Sequence, residues 1–203
     1  MNPAGISPGT LRISTAAFLQ PEEGKTAMGT WKTRGLRGSA LEDLLNLTND
    51  IYRTSRLALV QKIPTPITPM EFDKESRHIT LAYFDKISTV DYIGVVQGIP
   101  VCYDAKECAA DTFPLSNVHE HQIRFMEEFQ QQDGISFLII YFTVRDEVWL
   151  MPFDELKSYW DRMLAGGRKS FTYEEMRKEY PVQRTPEVPL HYLKALERYV
   201  NRS

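Results

Sequence analysis

The stretch from Thr89 to Lys106 reads TVDYIGVVQGIPVCYDAK and lies at the centre of the predicted fold. Two short runs rich in β-branched and aromatic residues flank Gln97-Gly98, and this pattern predicts a β-hairpin with a tight turn. A turn centred on those two residues places Asp91 opposite Asp104. Side chains at opposed positions have Cβ atoms about 4.5–5.5 Å apart, and like charges there are destabilising. The facing acids therefore indicate either an exposed pair tolerated by water or a site for a compensating cation.

The alternation of side chains along each strand adds two residues to the site formed by Asp91 and Asp104. Side chains alternate between the faces of a strand, so Thr89 shares a face with Asp91, and Lys106 shares a face with Asp104. The oxygens of carboxylate and hydroxyl groups suit hard cations such as Mg²⁺ or Mn²⁺. A divalent cation held by one or two carboxylates is typical of phosphate-ester hydrolysis. Lys106 fits the task of neutralising charge that develops on the phosphoryl group.

A glutamine on a helix is the next candidate. Asn117 followed by Glu120 predicts a helix cap, with the helix running to about residue 132. Gln122 interrupts the apolar stripe of that helix at i+4 from Val118. Two interpretations stay open: a core glutamine satisfied by backbone groups, or a side-chain carbonyl directed at the metal site.

The remaining elements predict an α/β fold with a mixed sheet. Prolines at every second or third position of 63–69 forbid a helix or a central strand, so the chain from 63 to 84 is expected to leave as an extended, projecting excursion and to return as a strand. Glu42, in the capping-box pattern that begins at Ser39, has a structural task with which a catalytic one competes. The other predicted elements are helices at 39–53, 154–164 (capped by Asp154), 172–179 and 189–200, strands at 57–60, 135–142 and 147–151, and a loop at 111–116.

Composition and charge indicate a globular domain at 39–203 behind a flexible arm at 1–38. The chain has 203 residues, of which 42% are hydrophobic and 25% charged, which suits one domain with an elaboration. The formal net charge of −3 gives no overall support for nucleic-acid binding. The arm is locally basic, however, which indicates either contact with a polyanion or a solvated tail; its charged residues are Arg12, Lys25, Lys32, Arg34 and Arg37 against Glu22 and Glu23.

The cysteines and the absence of long apolar runs suggest a cytoplasmic protein without a membrane span. No run reaches the roughly 18–20 apolar residues of a transmembrane helix, and the N-terminal sequence lacks a secretory pattern. Cys102 and Cys108 are expected to be reduced thiols. A structural zinc site built by these two cysteines with His119 and His121 is an alternative with irregular spacing.

The pattern of an acid followed by Asp-Ala-Lys on the neighbouring strand resembles the PD-(D/E)xK nuclease core. The surrounding motifs are more specific. In order, they are Arg37-Gly-Ser-Ala-Leu-Glu42, Asn46 with Thr48-Asn49 and Tyr52, Lys62 with Pro64-Thr-Pro66, Thr89-Val-Asp91-Tyr, Asp104-Ala-Lys-Glu107, Phe113-Pro-Leu and His119-Glu-His-Gln122. Together they resemble RecU, the Holliday junction resolvase family of Gram-positive bacteria, over roughly residues 33–180.

The resemblance implies a restriction-endonuclease-like fold, with the excursion as a stalk that enters the junction centre. It implies a Mg²⁺ site, which Mn²⁺ can also occupy, and catalysis by Asp91, Asp104 and Lys106. The residues implied for the metal are Thr89, Asp91, Asp104 and Gln122; those for DNA are Arg37, Lys62 and Phe84; Glu42 is implied as an indirect support.

The resemblance also implies partners: four-way junction DNA, a second copy of the chain in a homodimer, and the RecA recombinase. One departure concerns the second acid, which is typically glutamate in RecU and is the shorter Asp104 here. Two rival interpretations stay open. One is a non-catalytic junction-binding or RecA-modulating protein on a nuclease fold; the other is a nuclease that acts on linear duplex DNA.

Overall fold

A five-stranded mixed sheet forms the centre of the structure, which is a computed structural model that describes residues 40–64, 67–84 and 89–202. Its strand order is β1-β4-β5-β7-β8, with β5 and β7 parallel and the other neighbours antiparallel. The strands are β1 (Ala58–Lys62), β2 (Ile67–Asp73), β3 (His78–Phe84), β4 (Tyr92–Val96), β5 (Ile99–Cys108), β6 (Thr112–Pro114), β7 (Ile135–Phe142), β8 (Glu147–Pro152) and β9 (Ser170–Thr172). The helices are α1 (Ala40–Thr54), α2 (Glu120–Gln130), α3 (Phe153–Leu164) and α4 (Tyr192–Val200).

Helices cover both faces of this sheet. α1 and α4 pack on one face, where Tyr103 of β5 lies between Tyr92 and Phe137 in stacked contacts. α2 and α3 pack on the other face, against Leu138 and Ile140 of β7. The near-continuous burial of β7 follows from this double cover. The expected α/β class with a mixed central sheet flanked by helices is therefore confirmed.

The decisive hairpin is β4–β5. Its turn residues, Gln97 (φ 48°) and Gly98 (φ 89°), are both left-handed, as a two-residue turn that matches the strand twist requires. The pairing of Tyr92 with Tyr103 continues the register expected from the sequence. Parallel pairing of β5 with β7 requires the crossover that α2 supplies, and this places α2 above β5 on one face.

The segment inserted between β1 and β4 forms a separate two-stranded antiparallel sheet, β2–β3. None of the hairpin side chains that the structure describes is buried, so this hairpin stands outside the core. Exposed apolar side chains are frequent on it, namely Ile67, Met70, Ile79, Leu81 and Tyr83. The hairpin lies within the segment 63–84 for which the proline-rich sequence predicts a projecting excursion; the excursion as a stalk insertion stays a prediction.

Three local predictions outside α2 are wrong. The segment predicted as a helix at 172–179 instead contains the end of β9 and turns, because side chains of α3 bond its backbone: Tyr159 donates to the carbonyl of Glu175, and Glu155 accepts from the N–H of Arg177. Helix α3 is capped at Pro152, so Asp154 lies in its first turn. The segment predicted as a loop at 111–116 contains β6 and the start of a 3₁₀-helix.

Candidate active site

The two acids of the hairpin meet as the register predicts. Asp91 lies one residue before β4, and its backbone N–H donates to Oδ1 of Asp104 at 3.0 Å. In return, Oδ2 of Asp91 accepts from the backbone N–H of Ala105 at 3.1 Å. Each carboxylate is thus fixed by a main-chain amide of the opposite strand. The main chain therefore contributes directly to the orientation of both carboxylates.

The charge of this pair is compensated only in part. Asp104 is fully buried, and its Oδ2 lies 2.5 Å from Nζ of Lys106, which is 19% exposed. Burial raises the pKa of Asp104, the adjacent Asp91 carboxyl raises it further, and the Lys106 ammonium lowers it. Lys106 pairs with Asp104, and no ion pair to Asp91 is found among the described residues, so ionisation of both carboxyl groups leaves an excess negative charge. A divalent cation would remove this excess, and the oxygen donors fit that class of ion.

Gln122 reaches the same carboxylate from the first turn of α2. Its Nε2 donates to Oδ2 of Asp104 at 2.9 Å, and its Oε1 accepts from the backbone N–H of His119 at 2.9 Å. Gln122 is buried, as its place on the apolar stripe predicts. The cap of α2 is His119 with Gln122, so the predicted cap at Asn117 with Glu120 is wrong. The glutamine thus serves the backbone and the site together, and the atom it presents to Asp104 is its nitrogen.

Thr89 lies two residues before Asp91 on the chain that returns to β4, and it is exposed. Val90 between them is buried in the core on the α2–α3 side. The metal-ligand role of Thr89 stays a prediction.

The end of β1 connects the inserted hairpin to the acids. The N–H of Ile63, the first residue after β1, donates to the carbonyl of Asp91 at 2.8 Å. Lys62 forms an ion pair with Glu42 of α1. Glu42 therefore joins α1 to the end of β1, where the chain leaves for the inserted hairpin. Its expected indirect support of the metal stays a prediction.

Of the three residues expected to bind DNA, Lys62 and Phe84 lie in described strands and Arg37 does not. Lys62 ends β1 and is 40% exposed despite its ion pair. Phe84 is the last residue of β3, at the start of the return to β4. Arg37 and Ser39 lie outside the described residues.

The zinc alternative finds no support in the geometry. The Sγ of Cys102 bonds Oγ of Ser136 at 3.3 Å, and the Sγ of Cys108 bonds the carbonyl of Ala110 at 3.1 Å. The rings of His119 and His121 stack, with 5.4 Å between their centroids. Within residues 40–64, 67–84 and 89–202, no three His, Cys, Asp or Glu side chains cluster as metal ligands. The candidate centre has two carboxylates and depends on other oxygens to complete it.

Backbone groups are what sequence reasoning missed. Three backbone N–H groups donate to groups of the site. Ile63 donates to the carbonyl of Asp91, Ala105 donates to Oδ2 of Asp91, and His119 donates to Oε1 of Gln122. Every residue type carries such an amide, so composition gives no signal for it. The predicted hairpin register is the one signal in the sequence that places the N–H of Ala105 near Asp91.

Two facing acids and a lysine on a β-hairpin, followed by a crossover helix and a parallel strand, define the PD-(D/E)xK class of nuclease folds. The family model described as RecU, Recombination protein U, matches residues 36–198. The chain belongs to the RecU family.

Curated relatives match along most of their length. The Holliday junction resolvase RecU of Leuconostoc citreum is 41% identical over 196 residues, 94% of each chain. The protein of the same name from Staphylococcus aureus is 39% identical over 183 residues, 87% of each chain. Among solved structures, the Holliday junction resolvase Hjc of Archaeoglobus fulgidus covers 58% of this chain and 78% of its own, with 7% identity and a TM-score of 0.38. Similarity at that level adds nothing to the assignment.

Proposed function

We propose that this protein is a structure-specific endonuclease that resolves four-way DNA junctions in recombination and repair, by metal-dependent hydrolysis of phosphodiester bonds. The observation that carries the proposal is the pair Asp91 and Asp104 with Lys106, held by main-chain amides at one point of the sheet. Family membership supplies the substrate, since the relatives bear the name Holliday junction resolvase.

Mg²⁺ is the proposed cofactor, with Mn²⁺ as a substitute. Asp91 and Asp104 would hold it, with Thr89 and the carbonyl oxygen of Gln122 as further ligands. The donors fit because the two adjacent carboxylates, of which Asp104 pairs with Lys106, carry an excess negative charge that a cation would offset. When bound, such an ion polarises the scissile phosphate and lowers the pKa of a water molecule.

The chain's own groups perform the remaining work. The N–H of Ala105 and the carboxylate of Asp104 fix Asp91 on both sides, so the site is organised before DNA binds. Lys106, between the buried acid and solvent, is proposed to neutralise charge on the phosphoryl group as the water attacks. Asp104 is shorter than the glutamate typical of the family, and the main-chain bond of its Oδ1 compensates by fixing the short side chain in place.

The β2–β3 hairpin is the proposed element for junction recognition. Seven-residue strands reach about 20 Å, and five large apolar side chains on them are exposed. Apolar side chains that enter between bases favour distorted or open DNA over a continuous duplex. Lys62 and Phe84 at the root of the hairpin, and Arg37 of the arm, are proposed to contact the DNA.

Two partners follow from the same proposal. A four-way junction has approximate two-fold symmetry, and paired nicks need two sites related by it, so we propose a homodimer. Light scattering at micromolar concentration should give twice the chain mass. RecA is proposed as a further partner through the family resemblance alone. In the described part of the chain, no helix is long and apolar enough to span a membrane, and a cytoplasmic location is proposed.

The test compares a labelled synthetic four-way junction with a linear duplex of the same sequence, in Mg²⁺. Wild type should nick the junction preferentially, and replacement of residues 67–84 by a short Gly-Ser linker should remove the preference. Equal cleavage of both substrates by wild type would support the linear-duplex nuclease instead. Binding without cleavage in either Mg²⁺ or Mn²⁺ would support the non-catalytic junction-binding protein.

A further inference from the structure

The side-chain amide of Gln122 is engaged at both ends. Its Nε2 donates to Oδ2 of Asp104, and its Oε1 accepts from the N–H of His119, each at 2.9 Å. The glutamine is 6% exposed, so few other partners can reach it. The direction of the amide is thus determined: nitrogen faces the acid and oxygen faces the N-terminus of α2.

This direction is opposite to the one that metal binding needs. A cation accepts electron pairs, so Gln122 can bind it only through Oε1. If the amide were reversed while no cation is bound, Oε1 of Gln122 would face the carboxylate of Asp104, which already accepts from Lys106. Two acceptor groups would then face each other. The side chain of Gln122 therefore has two orientations. Nε2 faces Asp104 when no cation is bound, and Oε1 faces the site when a cation is bound there.

We propose that the N–H of His119 is a latch on the metal site. It holds the carbonyl oxygen of Gln122 in the cap of α2, and the amide has to turn over and leave the cap when a divalent cation binds. The inference rests on the proposed function, since it assumes the cation site at Asp91 and Asp104. It adds a positioning group, and it links occupancy of the site to the first turn of α2.

The energy of the latch is that of one hydrogen bond. A typical intramolecular hydrogen bond stabilises a protein by an amount that corresponds to a two- to tenfold change in an equilibrium constant. The latch therefore lowers metal affinity by about this factor, since the bond is lost when the amide turns. Its N–H is only partly buried, so water can replace Gln122 as its partner.

Proline at position 119 removes the latch selectively. His119 has φ −94° and ψ 151°, near the range of proline, and Val118 before it has φ −112° and ψ 131°, which suits a residue that precedes proline. The carbonyl of His119, which accepts from the N–H groups of Gln122 and Ile123, is kept. His119→Ala is the matched control, because it also loses the imidazole but retains the N–H.

Titration calorimetry with Mg²⁺ and with Mn²⁺, in the absence of DNA, provides the test. His119→Pro should bind the metal about two- to tenfold more tightly than His119→Ala. A merely structural role for the N–H predicts the reverse sign, since damage to the cap weakens the site. Equal or weaker binding by His119→Pro would overturn the latch. Absence of metal binding by wild type would instead overturn the proposed metal site, and the latch with it.

A second measurement does not depend on a variant. Hydrogen exchange of the wild-type His119 amide, followed by nuclear magnetic resonance, should become faster when Mg²⁺ is added, because the amide loses its acceptor. The amide of Ala105, bonded to the same site through Asp91, serves as an internal control and should not become faster. Unchanged or slower exchange at His119 in saturated protein would contradict the proposal.

Discussion

The backbone N–H of Ile63 donates to the carbonyl of Asp91 at 2.8 Å, which joins the chain that enters the inserted hairpin to the first acid of the site. The bond continues the β1–β4 ladder, whose last pair is Lys62 with Tyr92. The position of Asp91 therefore depends on the close pairing of two short strands. Gly94 of β4 makes that pairing possible.

Gly94→Ala should destabilise the protein by at least about 2 kcal/mol. A Cβ at this position would lie 2.2 Å from the carbonyl oxygen of Leu59 and 2.6 Å from Cα of Val60. Both atoms are backbone atoms of the paired strand, so β1 itself would have to move. Urea unfolding measures the loss. Gly98→Ala is the control: its Cβ meets nothing within 4 Å, and only the left-handed φ makes it unfavourable, which costs about 1 kcal/mol. Equal losses in both variants would contradict this explanation.

Lys106→Met should lower the rate of junction cleavage by roughly 10²–10³-fold while junction binding persists. The ammonium is the cation nearest to Asp104 among the contacts described, and it is partly open to solvent where substrate arrives. Single-turnover cleavage separates this loss from binding. Lys157→Met removes a lysine of α3 that pairs with Asp161 of the same helix and with Glu127 of α2, and it should cleave at the wild-type rate. A similar loss in both variants would count against a specific role for Lys106.

Asp91→Asn should abolish metal binding and cleavage without loss of stability in the metal-free protein. The substitution removes a negative charge that faces Asp104, and its side-chain oxygen can still accept from the N–H of Ala105. Chemical unfolding in a chelator should give a free energy up to about 1 kcal/mol higher than wild type. Asp91→Ala should be less stable than Asp91→Asn by about 1 kcal/mol, because the Ala105 amide loses its acceptor. Lower stability of Asp91→Asn than of Asp91→Ala would contradict the arrangement.

His191 predicts how stability depends on pH. It is 2% exposed, and its Nδ1 lies 2.9 Å from the hydroxyl of Tyr52. Burial lowers the pKa of His191 from 6.5 to about 4. Between these values the unfolded chain binds a proton that the folded protein does not, so the free energy of unfolding should fall as pH drops from 6.5 to 4, with a slope of up to about 1.4 kcal/mol per pH unit.

The difference between wild type and His191→Asn isolates this contribution. The side-chain amide of asparagine can bond the Tyr52 hydroxyl as donor or acceptor but does not titrate, so the stability of this variant should fall less over the same pH range. Parallel curves for the two proteins, measured by unfolding in urea, would show that His191 is not the group responsible.

Side-chain patterns in the sequence predicted the hairpin and the residues of the site, whereas the backbone hydrogen bonds that orient those residues were not predicted. The turn at Gln97-Gly98 fixed the register that brings Asp91 to Asp104, and helical periodicity placed Gln122 on the buried side of α2. The orientation of the Gln122 amide was beyond prediction, because it depends on the backbone amide of His119. The failed helix at 172–179 has a related cause: its helix-forming residues are overruled by hydrogen bonds from α3, which only the tertiary structure brings near.

The most direct measurement is nicking of a labelled four-way junction by wild type and by Asp91→Asn, with Mg²⁺ and with a chelator. Wild type should make paired nicks in opposed strands with Mg²⁺ and no nicks in the chelator, and Asp91→Asn should make no nicks although it still binds the junction. Cleavage by Asp91→Asn at the wild-type rate, or cleavage by wild type that is unaffected by removal of the metal, would contradict it.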